Sequence, residues 1–173
     1  MENVDLIKRC KKQDPKAQKE LYELYSARYF GVCKRYFFNI QEAEDALVRG
    51  FLKVFQHIEN YTSAGSFEGW MHRIFVNECL MEIRKNKNIQ IALEDAKEVK
   101  SLQTLPAENL EEEDLMKLLY QLPEGCRLVF NLYVIEGYKH KEIAEMLKIS
   151  EGTSKSQLNL AKSKLKEMLN HLR

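Results

Sequence analysis

The chain has 173 residues, 45% of them hydrophobic, with 27 basic against 26 acidic side chains and a net charge of +1. That apolar content, with only 7 Gly and 3 Pro, excludes a disordered or collagen-like polypeptide and leaves too few turn residues for an all-β protein. No apolar run approaches the roughly 18 residues that cross a bilayer, and Met1-Glu2-Asn3-Val4-Asp5 does not read as a signal peptide. A soluble, cytoplasmic chain without membrane insertion is expected.

In chain order, Asp14-Pro15 is a helix start, with an acceptor at the N-cap and Pro at the first helical position. Leu21, Leu24, Tyr25, Arg28 and Tyr29 follow at helical spacing. Tyr22, Tyr25, Tyr29 and Tyr36 share that spacing, which favours core or interface over a stacking platform for single-stranded nucleic acid. A second helix is predicted from Gln41 to His57, its apolar stripe being Ala43, Leu47, Phe51, Val54, Phe55 and Ile58. Glu42, Glu44 and Asp45 fall at its start, where acids suit the helix dipole. The stretch Asn60-Tyr61-Thr62-Ser63-Ala64-Gly65 is turn-forming, and Ser66 caps a third helix that turns Phe67, Trp70, Met71, Ile74 and Phe75 inward and ends in Arg84-Lys85-Asn86-Lys87-Asn88.

Charge then changes sign. Residues 1–90 carry 15 basic and 12 acidic side chains, residues 91–117 carry 3 against 8, and residues 118–173 carry 9 against 6. An acidic, weakly periodic middle between two mildly basic helical halves predicts a linker at 91–112 joining domains at 1–90 and 113–173, the alternative being a solvated surface loop. Beyond it, Leu110, Leu115, Leu118, Leu119 and Leu122 mark one amphipathic helix. Pro123 starts another that carries Val129, Phe130 and Tyr133 to a stop at Gly137. A short helix from His140 to Leu147 buries Ile143, Ala144 and Leu147, and Ser150 caps a longer one with Leu158, Ala161, Leu165, Met168 and Leu169 inside. Residues 139–162 thus have helix-turn-helix anatomy, which spacing alone does not separate from a plain helical hairpin. In a helix-turn-helix, Glu151, Gly152, Thr153, Lys155, Ser156, Asn159 and Lys162 would face a major groove, with Lys for phosphates or guanine and Asn for adenine.

Chemistry has no visible carrier. Cys10, Cys33, Cys79 and Cys126 form no CxxC pair and read as reduced, buried thiols. His57, His72, His140 and His171 show no metal spacing, and neither a Gly-rich phosphate loop nor a nucleophile elbow is present. No cofactor, no metal and no enzymatic activity are expected.

Two sets of residues carry a resemblance. Leu122-Pro123-Glu124-Gly125-Cys126-Arg127-Leu128-Val129-Phe130, Ile135-Glu136-Gly137-Tyr138, Glu142-Ile143-Ala144-Glu145 and Ser150-Glu151-Gly152-Thr153-Ser154-Lys155-Ser156 resemble region 4 of bacterial sigma factors of the extracytoplasmic-function group. Glu20-Leu21-Tyr22 with Tyr25, Glu42-Ala43-Glu44-Asp45, Phe51-Leu52-Lys53-Val54-Phe55, Gly65-Ser66-Phe67 with Trp70, Arg73-Ile74 with Asn77, and Arg84-Lys85 resemble their region 2. The resemblance implies an all-α protein of two small helical domains, a subunit that directs core RNA polymerase to promoters. It implies that Glu42, Asp45, Arg49, Phe51 and Leu52 face the β′ clamp helices. Asn60, Tyr61, Thr62, Ser63, Gly65 and Ser66 would hold a base extruded from the −10 element, with Arg73, Asn77, Arg84 and Lys85 along the promoter. Region 4 would sit on the β flap and read the −35 element, and an anti-sigma protein would restrain the factor. The chain departs from the family pattern at Val48-Arg49-Gly50, at Met81 and at Leu160, and Gly50 is expected to weaken its helix by roughly 1 kcal/mol relative to Ala. Rival readings are a dimeric helix-turn-helix regulator with a helical sensing domain, and a helical adaptor that binds no DNA.

Overall fold

The computed structural model describes residues 4–85 and 112–170, and among them every regular element is helical. The chain divides into two compact units, Met1–Glu82 and Ile83–Arg173. The predicted acidic linker, 91–112, lies outside the described residues except for Glu112, which opens a helix.

The first unit holds α1 (Val4–Lys11), α2 (Pro15–Tyr36), α3 (Ile40–His57), a 3-10 turn (Ile58–Asn60) and all but the last three residues of α4 (Phe67–Lys85). α2 begins as its sequence predicts: the Asp14 carboxylate accepts the Lys16 N–H at 2.9 Å, and that bond holds its pKa below the usual carboxylate range. Asn39 caps α3 in the same way through the Gln41 N–H, and Ser66 caps α4 by accepting the Gly69 N–H at 3.0 Å. Because α3 starts at Ile40, only Glu42 of the three expected acids lies in its first turn. The sequence reading missed α1, a short helix that buries Leu6, Ile7 and Cys10 and is tied to α2 by Arg9, whose guanidinium meets Asp14 at 3.3 Å and Glu20 at 3.2 Å.

Aromatic rings fill the space between α2, α3 and α4. Tyr29 stacks on Phe75 at 4.2 Å, Phe51 meets Phe75 edge-on at 5.2 Å, and the Tyr29 hydroxyl donates to the Glu68 carbonyl at 2.9 Å. Tyr36 is likewise buried, Tyr25 half-buried, and Tyr22 leans on Phe51 from the rim. Gly50 makes this arrangement possible: a Cβ there would lie within 2.9 Å of three Phe75 ring carbons. The glycine that costs helix propensity is therefore the residue that lets α3 approach α4, so the expected weakening of α3 is offset by packing. Cys33 and Cys79 lie buried with their sulfurs 3.9 Å apart as free thiols.

The second unit holds α5 (Glu112–Gln121), α6 (Glu124–Phe130), a π-helical turn (Asn131–Ile135), α7 (His140–Leu147) and α8 (Glu151–Asn170). Leu118, Leu119, Leu122, Cys126, Ala161 and Met168 form its core. Tyr133 lies in the π turn and is exposed, and Leu169, expected inside, lies exposed near the end of α8. Gly137 (φ +78°) then reverses the chain, and α7 closes on Lys148 at φ +56° with the Ile149 N–H returning to the Ala144 carbonyl at 3.0 Å. The Ser150 hydroxyl accepts the Thr153 N–H at 2.9 Å and starts α8 as predicted.

The four cysteines are all buried, and burial pushes the Cys10 and Cys126 thiols up from an ordinary 9.0 to about 11. The Cys126 thiol donates to the Gln157 amide oxygen at 2.9 Å, a bond its thiolate could not make. A raised folded-state pKa leaves stability intact below the unfolded value and drains it as pH climbs through the folded one. Stability is therefore expected to hold up to about pH 9 and to fall by up to about 2–3 kcal/mol per thiol by about pH 11. Urea denaturation across that window measures this, with Cys126→Ala expected to flatten the slope.

Candidate nucleic-acid and polymerase interfaces

The 3-10 turn delivers the chain into the loop between Asn60 and Ser66, and α4 carries it away. Asn60, Thr62, Ser63, Gly65 and Ser66 are exposed there, with Ser63 in the left-handed region at φ +60°. Tyr61 behaves otherwise than expected of a base-contacting residue. It is only 4% exposed, packs against Phe67 at 5.2 Å and Trp70 at 5.6 Å, and donates its hydroxyl to the Gly65 carbonyl at 2.6 Å. Its ring forms the floor of the loop, because an aromatic among Phe67 and Trp70 gains more from burial than from solvent. Arg73, Asn77, Arg84 and Lys85 are exposed along α4.

On α3, Glu42 and Asp45 are exposed, and Ile40, Val48 and Leu52 are more than half exposed at 58%, 53% and 54%. Three large apolar side chains thus stay wet on α3 with acids beside them, where the resemblance places the polymerase-facing surface. Two residues expected on that surface are not there. Phe51 is 3% exposed and belongs to the aromatic core, since the α3 stripe at helical spacing turns it inward. Arg49 faces α4, its Nε 3.6 Å from the buried Glu78 carboxylate and its Nη2 3.7 Å from Glu82. A buried carboxylate needs such a partner, so Arg49, half-buried, leans on α4 and is engaged there.

In the second unit the exposed side chains at the start of α8 are Glu151, Gly152, Lys155, Ser156 and Asn159, with Thr153 half-buried and Lys162 exposed farther along. Lys155 sits 4.0 Å from Glu151 in a solvent-exposed pair, which holds it weakly. Thr153 turns its N–H and its hydroxyl to Ser150, and the Ser156 hydroxyl donates to the Thr153 carbonyl at 2.9 Å. Lys162 lies 5.9 Å from the centre of the Tyr133 ring, which stacks on His140 at 4.4 Å. His140 in turn meets the buried Ser154 hydroxyl through Nδ1 at 2.9 Å, joining α7 to α8. Spacing places His140 and Ser154 on helices but carries no sign of their pairing.

The region 2 model of the Sigma-70 family matches residues 21–89, and its region 4 model matches residues 112–165. The ECF RNA polymerase sigma factor SigW of Bacillus subtilis is 27% identical over 179 residues, which cover 96% of each chain. SigE of Mycolicibacterium smegmatis, also an ECF RNA polymerase sigma factor, is 30% identical over 156 residues, covering 87% of this chain. The chain belongs to the extracytoplasmic-function group of RNA polymerase sigma factors. It spans 60% of the length of the Mycolicibacterium relative.

Solved structures share the fold. The sigma factor RpoE of Bartonella quintana, crystallised with the anti-sigma factor NepR, superposes with a TM-score of 0.54 at 21% identity over 88% of this chain and 96% of that one. CnrH, solved with the cytosolic domain of CnrY, gives 0.52 at 17% identity over 95% of both chains. α2 to α4 thus lie in region 2 of this sigma factor and α5 to α8 in region 4, while α1 precedes the part that the region 2 model matches. Among the described residues no helix is long and apolar enough to cross a membrane, and no group of His, Cys, Asp or Glu could hold a metal ion.

Proposed function

We propose that this sigma factor selects promoters through two separate DNA contacts, each too weak to act alone. Region 2 docks on the β′ clamp helices through the Ile40, Val48 and Leu52 face of α3, with Glu42 and Asp45 at its rim. The loop from Asn60 to Ser66 takes a base extruded from the −10 element, at a cost of a few kcal/mol that hydrogen bonds from its exposed polar groups offset. Arg73, Asn77, Arg84 and Lys85 follow the adjoining strand. Region 4 rests on the β flap and lays the start of α8 in the major groove of the −35 element, with Gly152 allowing close approach and Lys155, Ser156 and Asn159 reaching base edges or phosphates. The domains are those at 1–90 and 113–173, joined by an acidic tether. The protein works in the cytoplasm as a non-catalytic subunit, and an anti-sigma protein covers the docking or DNA-reading surfaces when it is idle.

The observation that carries this reading is the exposed polar face at the start of α8, held by the Ser150 cap and the His140–Ser154 contact, in a chain of sigma-factor family. Run-off transcription with purified core polymerase on genomic fragments tests it. Initiation at discrete sites is expected, and Asn159→Ala is expected to lower output from a strong −35 element about tenfold, the worth of one bidentate base contact. Unchanged output in Asn159→Ala and Lys155→Ala together would remove α8 as the reading helix. A stable homodimer in light scattering, with no transcription, would favour the dimeric regulator instead.

A further inference from the structure

α1 touches the −10 loop from outside the part of the chain that the region 2 model matches. Lys11, its last residue, places Nζ 2.6 Å from the Tyr61 carbonyl oxygen and 5.7 Å from the centre of the Tyr61 ring. This is a charge-assisted hydrogen bond across fifty residues of sequence, from a half-buried lysine to the backbone acceptor of a buried tyrosine. The rest of α1 is anchored for the purpose: Leu6, Ile7 and Cys10 are buried, Arg9 is ion-paired to Asp14 and Glu20, and the next turn lays the Gln13 amide 3.5 Å from the Phe55 carbonyl.

The loop itself has few ties. The Tyr61 N–H returns to Ile58 at 3.2 Å, the Tyr61 hydroxyl reaches Gly65, and Ser66 is occupied with the start of α4. Thr62, Ser63 and Ala64 stand exposed between those ties, with Ser63 at a positive φ that costs a non-glycine residue energy. Ordering each backbone residue costs about 1–2 kcal/mol, so a loop that must accept a base binds better if that cost is met before the base arrives.

We propose that Lys11 is a positioning residue for −10 recognition: from α1 it fixes the Tyr61 backbone, and so holds the loop from Asn60 to Ser66 in the shape that discriminates the extruded base. The inference rests on the assignment of that loop to −10 reading made above. Lys11 acts through Tyr61 and makes no contact with DNA. The specificity of region 2 therefore depends on a helix outside the region 2 match.

The test uses the full chain with core polymerase and a promoter set that carries each of the four bases at the extruded position. Lys11→Met keeps the aliphatic stem and deletes the donor, Lys11→Gln restores a neutral donor, and Lys11→Arg keeps the charge. Lys11→Met is expected to flatten the base preference about tenfold while core binding stays as in the parent, with Lys11→Gln intermediate and Lys11→Arg within about twofold. Trp70, the chain's one tryptophan, packs on Tyr61, so its acrylamide quenching is expected to rise in Lys11→Met alone, with no DNA present. A parental base preference in Lys11→Met, in an assay where Thr62→Ala flattens it, would overturn the proposal. If Thr62→Ala and Lys11→Met are both silent, base reading by this loop fails first, and the positioning role falls with it. Should Lys11→Met lose core binding, the comparison of Lys11→Gln with Lys11→Arg decides on the same readouts.

Discussion

Gly50→Ala is expected to destabilise the first unit by about 2 kcal/mol or more, although alanine is the better helix former. Propensity favours alanine by roughly 1 kcal/mol in a helix interior. Against that, the new Cβ would come within 2.9 Å of three carbons of the Phe75 ring, a separation that real side chains do not tolerate. Phe75 has no room to yield. Its ring is fully buried, stacked on Tyr29 at 4.2 Å and held edge-on by Phe51 at 5.2 Å, so relief would require α3 and α4 to part. Overpacking of this kind costs typically 1–3 kcal/mol, and the loss of aromatic contacts adds to it. Urea denaturation of the single variant measures the effect. A double variant with Phe75→Leu should recover part of it, since the two positions share one contact and are not additive. A stabilised Gly50→Ala protein would mean that α3 and α4 do not approach at this point.

The second large effect concerns DNA. At about 150 mM salt the free sigma factor is expected to bind promoter duplex no better than about 10 µM, and the holoenzyme at least a hundredfold more tightly. Affinity for duplex DNA scales with the number of phosphates neutralised, and the chain's net charge is +1. Two of the cations on α8 are already engaged: Lys155 is shared with Glu151 at 4.0 Å, and Lys162 lies over the Tyr133 ring. On α4, within the region 2 match, Arg73, Arg84 and Lys85 add three more. Contacts of that size become useful when a third body fixes both units at once, because the second contact is then intramolecular. Gel shifts of free protein and holoenzyme on one promoter fragment, over a range of salt, measure the ratio and the slope. Tight, sequence-specific binding by the free chain would show that polymerase is not needed to pair the two grips.

Local signals carried the helices a long way. Asp14-Pro15, Ser66 and Ser150 each begin a helix where a short side-chain acceptor can satisfy a backbone N–H, and this depends only on neighbours in sequence. Of the stripe from Ala43 to Ile58 all but the half-buried Phe55 are buried as their spacing requires, and so is the trio Ile143, Ala144 and Leu147. α1 escaped because it is eight residues long, too short for periodicity to stand out, although Leu6, Ile7 and Cys10 do fall on one side of it. The π turn escaped because nothing in Asn131-Leu132-Tyr133-Val134-Ile135 distinguishes it from a continuing α-helix, and Tyr133 lies in this turn, exposed beside His140.

The candidate sites divide along the same line. Which residues are exposed at the start of α8 and around Thr62 to Ser66 could be read from turn chemistry and period, since both depend on the chain within one or two helical turns. Whether a given side chain at such a place faces a partner or its own protein could not. Arg49 turned to Glu78, Phe51 to Phe75, Tyr61 to Trp70 and Lys11 to the Tyr61 carbonyl, each because another element, from 9 to 50 residues away, offered a buried charge, a ring or an unpaired acceptor. By itself the amino-acid sequence determined an all-helical chain of sigma-factor family, its caps, its apolar stripes and its charge asymmetry, all matters of neighbouring residues. Tertiary structure alone decided which charged and aromatic groups are spent inside the protein and which remain for polymerase and DNA, because burial and pairing energies belong to contacts between elements that only folding brings together.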